Sequence, residues 1–243
     1  MARPAFITRF APSPTGYAHR GHAFSALTAF AAAQRAGGRF LLRIEDIDTE
    51  RCRPEFEAAF YDDLAWLGLT WERPVRRQSE HLADYAAALE SLKARNLVYR
   101  SYKTRRETQE PAAPEPDRDY AWRLSLDRAL RVALMPDDFR PDLVGDVVLT
   151  RKGLGAAYHL AVVVDDALQG VTHVIRGADL VDATPIHRLL QALLELPTPQ
   201  YVHHPLILRD DGKKYSKRDT TETLRDIRAR GVTAATLRAE LGF

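Results

Sequence analysis

"FITRFAPSPTGYAHRGHAFSALTAFAAAQRAGG" (residues 6–38) sets two prolines, two glycines and two histidines between an apolar strand and an alanine-rich helix. "FITRF" (6–10) reads as a buried strand, and "HAFSALTAFAAAQRAGG" (22–38) as a helix closed by Gly37 and Gly38. "RFLLRIED" (39–46) is a second buried strand. Pro54 opens a helix that runs through Leu67 and is ended by Gly68, and Ser79 is expected to N-cap another that runs to about Arg95. The chain therefore starts β-α-β-α. From about residue 97 the pattern breaks into a strand, a basic run, a proline- and acid-rich linker and a second strand, which reads as an insert. It resumes with "AAYHLAVVVDD" (156–166), "VTHVIRG" (171–177) and the helix "DATPIHRLLQALLEL" (182–196). Helical and strand periods that alternate in this way predict an α/β fold with a mostly parallel sheet. No internal repeat is visible.

The whole chain sets the bounds. Its 243 residues, 45% of them apolar, can bury a sizeable core in one large domain or a domain with an insert. The 35 Lys and Arg residues nearly balance 33 Asp and Glu, so contact with nucleic acid would need a local basic patch. A single cysteine, Cys52, excludes an internal disulfide and a Cys-rich zinc cluster, and fits a reducing compartment. "MARPAFITRF" has no apolar signal core, and no later run is long enough to span a bilayer. A cytoplasmic protein with no membrane partner is expected.

The opening stretch also carries chemistry. A strand, a glycine-bearing turn and a helix present backbone N–H groups and the positive end of a helix dipole, which suit a phosphate. His19 and His22, three residues apart, would project on the same side. Two imidazoles there can donate hydrogen bonds to a phosphorus centre as charge builds on its oxygens. Taken alone, the motif reads more simply as a turn with two solvated histidines. A second element, "RDDGKKYSKRD" (209–219), is a glycine turn followed by three lysines and an arginine. Lysines on a loop can stabilise departing pyrophosphate, although such a run by itself is most simply a solvated basic loop.

The pair matters more than either part. An N-terminal H-x-G-H and a C-terminal K-x-S-K flanking a split α/β pattern resemble the class I aminoacyl-tRNA synthetases. "TRFAPSPTG", "LLRIEDIDTER", "YHLAVVVDDALQGVTHVIRGADL" and "TPIH" are similar to the glutamyl branch, and "RGADLVDATP" to its truncated glutamyl-queuosine members. The resemblance implies a Rossmann-like catalytic domain with a parallel sheet, a small α+β insert and a short helical C-terminus. Its halves would be 1–96 and 151–205, the insert 97–150, and the lysine loop with short helices 206–243, with no anticodon-binding domain. It assigns His19, His22 and Lys217 to catalysis, with Pro12, Gly21, Lys214 and Ser216 joining them around ATP. Arg9, Ala11 and Ser13 would line the glutamate site, Glu45 would take the α-ammonium, and Tyr158 with Arg176 would face the substrate side chain. It also implies ATP with Mg²⁺, L-glutamate activated without RNA, and transfer to queuosine in the anticodon stem-loop of tRNA(Asp), by a monomer. A surface ion pair with Asp46 or Asp179 stays open as the plainer role of Arg9 and Arg176.

Departures from the family pattern are specific. Cysteines that bind zinc in many members would fall near Ser101, Lys103 and the stretch after Tyr120; residues 97–126 hold no Cys or His, so no zinc is expected. Tyr99, Tyr102, Tyr120 and Trp122 are expected to hold the insert together instead. Arg100, Lys103, Arg105 and Arg106, with Lys93 and Arg95, form a basic run that suits an RNA backbone or is simply solvated. Arg20 stands where the histidine motif usually has an apolar residue, Arg218 ends the lysine motif in place of serine, and Val162 replaces a frequent asparagine. Two other readings remain: a minimal enzyme that charges a tRNA 3′ end, and a non-catalytic paralogue. Retention of His19, His22, Glu45, Arg176 and Lys217 together argues against the latter.

Overall fold

The computed structural model describes residues 5–102, 119–135, 139–140, 145–151, 155–207 and 222–243. These divide into two compact units, one formed by 1–80, 170–181 and 199–243, the other by 81–169 and 182–198.

In the first unit β1 (Ile7–Phe10), β2 (Arg39–Ile44) and β3 (Arg76–Arg77) run parallel, with Arg9 opposite Leu41 and Arg43 opposite Arg76. A second parallel pair, β9 (His173–Gly177) and β10 (Gln200–His204), sets Arg176 opposite His203. Strand β9 lies beside β1, joined by Thr172, whose N–H donates to the Ile7 carbonyl at 2.9 Å and whose Oγ1 accepts from the Ile7 N–H at 2.8 Å. Helix α1 (Arg20–Ala36) covers β1, β2 and β9. It buries Ala23, Ala26, Ala29 and Ala33 with Leu27, so small side chains let it sit close on Phe10, Leu42 and Ile175. Its end follows the sequence reading. Gly37 takes the left-handed cap (φ 62°), and at Gly38 a Cβ would stand 2.2 Å from the Phe6 carbonyl oxygen, so only glycine fits.

Helix α2 (Pro54–Trp66), opened by Pro54 and stopped before Gly68, adds Phe60 and Leu64 to this core. Ser79 does not cap the next helix. It sits in a 3₁₀ turn, where its N–H and hydroxyl both donate to the Asp46 carboxylate at 2.9 and 2.6 Å, and His81 occupies the cap of α3 (Leu82–Ala94). A carboxylate offering two acceptors to one serine outcompetes the local cap.

The second unit contains α3, the antiparallel strands β4 (Val98–Ser101), β5 (Ala121–Leu124) and β6 (Val147–Val148), a short α4 (Leu126–Leu130) and the small pair β7 (Thr150–Arg151) and β8 (Gly155–Ala156). Helices α5 (Tyr158–Leu168) and α6 (Ala183–Leu193) pack on each other, and α3 packs on α5. Three consecutive valines do not make α5 a strand. It is buried on nearly every side, where an apolar run is compatible with helix, and its Asp165 carboxylate accepts from the Tyr85 hydroxyl at 2.9 and 3.0 Å. Among the described residues no helix is long and apolar enough to cross a membrane.

The C-terminal helices α7 (Leu224–Ala229) and α8 (Ala234–Glu240) belong to the first unit. Six and seven residues are too few to hold a helix in water, so both depend on burying Leu224, Ile227, Leu237 and Leu241, about 2 kcal/mol each. Arg228 of α7 donates to the buried Asp63 of α2 at 2.9 Å. Burial raises the Asp63 pKa and Arg228 only partly opposes this. The folded state therefore holds the Asp63 proton more tightly than the unfolded chain. Its contribution to stability is complete below the unfolded value, about 4, and is lost as pH rises through the folded value. Urea midpoints at pH 4 and pH 7 should show Asp63→Asn gaining stability relative to wild type as pH rises; a pH-independent difference would contradict this account.

Candidate active site

The stretch from β1 through the first turn of α1 carries seven of the residues singled out from the sequence: Arg9, Ala11, Pro12, Ser13, His19, Gly21 and His22. Arg9 is buried within β1, and Ala11, Pro12 and Ser13 follow directly on the strand end. The Pro12 carbonyl accepts from the Glu45 N–H at 2.9 Å, and that of Pro14 from the Arg53 N–H at 3.1 Å. Both prolines lack a donor of their own, so their carbonyls carry the pairing that ties this turn to the end of β2 and the start of α2.

His19 caps α1, and Gly21 and His22 lie in its first turn. The two imidazoles stack with centroids 3.8 Å apart, and the His19 N–H donates to His22 Nδ1 at 3.2 Å. A nitrogen that accepts carries no proton, so neutral His22 bears its hydrogen on Nε2. Phe60 meets the His22 ring edge to face at 5.3 Å. These contacts fix the ring and define a donor at the positive end of a 17-residue helix.

Glu45 is buried at the end of β2, 3.1 Å from the guanidinium of Arg43, itself wholly buried. Arg176, 5% exposed, sits at the end of β9. Its Nη2 donates to the Leu180 carbonyl at 3.0 Å, its Nε donates to His203 Nε2 at 3.3 Å, and the group lies over the Tyr201 ring at 5.1 Å. These contacts orient the guanidinium at the end of the strand. Asp46 meanwhile holds Ser79. Arg9 and Arg176 are both buried, each 5% exposed.

Tyr158 falls in the second unit, as the first residue of α5, where its ring lies 5.5 Å from that of His187. His187 is buried and shares a 3.1 Å hydrogen bond with His159. Lys214, Ser216 and Lys217 lie outside the described residues, as do Tyr215, Arg218, Lys103, Arg105 and Arg106. Beyond them the described residues resume at Glu222; Thr223 forms a β-bridge with His19, and the Leu224 N–H donates to the Ala18 carbonyl at 2.7 Å. Arg100 is exposed on β4, stacked over Tyr120 at 4.7 Å and Trp122 at 5.6 Å, with Lys93 over Trp122 at 4.3 Å. Tyr102 and Tyr120 meet at 5.9 Å. Among the described residues no group of three or more His, Cys, Asp or Glu side chains is set to hold a metal ion.

Sequence reasoning passed over Arg43, Tyr201, His203 and Thr223. Arg43 gave a weak signal, since a charged residue inside an apolar strand needs a partner. The other three reach their neighbours through register and chain return, which local pattern does not encode.

The profile described as "tRNA synthetases class I (E and Q), catalytic domain" matches residues 5–129 and 129–241. A protein of Rhodobacter capsulatus named Glutamyl-Q tRNA(Asp) synthetase is 45% identical over 98% of this chain and 100% of its own length. A Glutamate--tRNA ligase of Prochlorococcus marinus is 39% identical over 93% of this chain and 55% of its own. Among solved structures, a glutamate tRNA ligase from Elizabethkingia meningosepticum in complex with its amino acid superposes with TM-score 0.73 at 28% identity. That match covers 89% of this chain, which spans about half of the solved ligase, 52%.

The Arg176 site makes a prediction of its own. Burial first, then the charges of Arg176 and His204, hold the His203 pKa below its ordinary value. The folded state thus disfavours the imidazolium, and the stability from neutral His203 is complete above about pH 6.5 and lost as pH falls through the lowered value. In Arg176→Gln, titration of His203 followed by NMR should move upward, toward about 6.5; an unchanged midpoint would mean the guanidinium does not act on this ring.

Proposed function

This chain belongs to the class I synthetase family of glutamyl and glutaminyl catalytic domains and is a ligase, and from that premise we propose that it activates L-glutamate with MgATP and passes the glutamyl group to queuosine in tRNA(Asp). The observation that carries the choice of acceptor is the 45% identity that runs along the entire length of a relative named Glutamyl-Q tRNA(Asp) synthetase. The buried cations of Arg9 and Arg176 support a dicarboxylate substrate, and Glu45 supports its ammonium.

In this reading the α-carboxylate of glutamate attacks the α-phosphorus of MgATP, the bond to the β,γ-unit breaks, and pyrophosphate departs with the Mg²⁺ it carries. His22, donating from Nε2, and His19 stabilise the charge that builds on the phosphoryl oxygens. Lys217, with Lys214 and Ser216, neutralises the leaving group; return of the chain at Thr223 beside His19 supports that role. A queuosine hydroxyl then attacks the mixed anhydride, AMP leaves, and the hydroxyl proton passes to solvent. Neither step needs a covalent enzyme intermediate. Arg9, Ala11 and Ser13 line the amino-acid site, Pro12 and Gly21 allow close approach of the nucleotide, and Tyr158 takes a place at the substrate side chain. Arg100, with Lys103, Arg105 and Arg106, contacts the RNA backbone. Charging of a tRNA 3′ end is the second reading, favoured by the 39% identity to a Glutamate--tRNA ligase.

Labelled glutamate offered with MgATP and two matched tRNA(Asp) samples, one with queuosine and one with guanosine at the wobble position, should label only the first. Label on tRNA(Glu) instead would establish the second reading. Glutamate-dependent ATP–pyrophosphate exchange should proceed without RNA and fall by about 10²-fold in Lys217→Ala; wild-type exchange in that variant would remove the role given to the lysine loop.

A further inference from the structure

Arg20 lies between His19 and Gly21, where the histidine motif usually carries an apolar side chain. As the first residue of α1 it places a cation at the positive end of the helix, an arrangement that is unfavourable unless compensated. The compensation comes from the C-terminal segment. Arg20 Nη1 donates to Glu240 of α8 at 2.6 Å, and Arg20 Nε lies 3.9 Å from the carboxylate of Glu222, which also pairs with Arg230. The Arg20 side chain is 20% exposed, so these contacts are less screened than an open surface pair. They flank the two backbone links of the same turn, His19 with Thr223 and Ala18 with Leu224.

We propose that Arg20 is a positioning residue: by pairing with Glu240 and Glu222 it clamps the first turn of α1 to the C-terminal segment and so fixes the geometry of the His19–His22 pair. The clamp acts on the reacting atoms only through the histidines. The His19 N–H that defines the His22 tautomer belongs to the peptide between Ala18 and His19, and Arg20 follows immediately. Movement of this turn by a fraction of an ångström weakens that 3.2 Å bond and frees the His22 ring to exchange tautomers. The same carboxylates, left without Arg20, would also oppose a polyphosphate at the helix N-terminus.

The proposal rests on the activation reaction above only for its kinetic arm. The first readout is the tautomer state of His22, from its imidazole ¹⁵N shifts. Wild-type protein should show a single Nε2–H form, and Arg20→Leu a mixture of both forms. Glu240→Gln should move the same way, and it serves where Arg20→Leu fails to fold, because the Glu240 side chain is half exposed. Arg20→Lys, which keeps the charge, should restore most of the wild-type signal. In ATP–pyrophosphate exchange Arg20→Leu should lower kcat by about ten-fold, with KM for glutamate within about two-fold of wild type. A His22 tautomer unchanged in both Arg20→Leu and Glu240→Gln overturns the proposal whatever the kinetics show. A shifted tautomer with undiminished kcat overturns the positioning role and leaves a structural bond. Absence of exchange in the wild-type protein overturns the proposed function, while the tautomer readout still decides for or against the clamp.

Discussion

Guanidinium groups buried in strands govern the first unit. Arg9, Arg43 and Arg176 lie at 5%, 0% and 5% exposure on β1, β2 and β9. A buried cation is tolerated only with partners that replace its water. Arg43 has the Glu45 carboxylate, whereas Arg176 is held by a carbonyl, an imidazole and an aromatic face. These contacts hold each guanidinium in a fixed orientation within its strand. Burial first, and then the like charge of Arg176, hold the His203 pKa below its ordinary value.

The C-terminal segment has a role that its length disguises. Helices α7 and α8 hold no intrinsic stability, yet they supply Leu224, Ile227, Leu237 and Leu241 to the core that also contains Phe10, Leu42 and Phe60. The packing fixes their position, and the fixed position lets Thr223 and Leu224 close backbone bonds on the histidine turn. Core burial is thereby converted into alignment of polar groups some distance along the chain. The capping box at Thr223, in which Asp226 accepts from the Thr223 N–H at 2.9 Å and its own N–H donates back to the threonine hydroxyl at 3.2 Å, keeps that junction from fraying.

Legibility in the sequence followed the range of the interaction. The β1–turn–α1–β2 unit and the boundaries at Gly37, Gly38, Pro54 and Gly68 were readable because each depends on neighbours in the chain. His19 and His22 were readable as a pair for the same reason, since helical spacing alone sets them on one side. Ser79 misled because its local promise as a cap lost to Asp46, thirty-three residues away. "AAYHLAVVVDD" gave no clear period because α5 is buried on almost every side, so no polar face marks it. The neighbours of Arg176 were invisible because Tyr201 and His203 reach it through parallel register with β10.

Arg20 shows the same division within one residue. From the sequence it is an oddity in the histidine motif, with a solvated head or a phosphate contact as its plainest uses. In the fold its charge is directed to Glu240 and Glu222, away from a free role at the helix terminus. A substitution that places a cation beside an anion site would ordinarily be read as an extra ligand contact. Here the two carboxylates nearly neutralise it, so the first turn of α1 offers the anion site its helix dipole and the two imidazoles. Charge that is already paired contributes order to a site and little field, which makes the geometry of His19 and His22, and not the sum of nearby positive residues, the property that the first turn of α1 preserves.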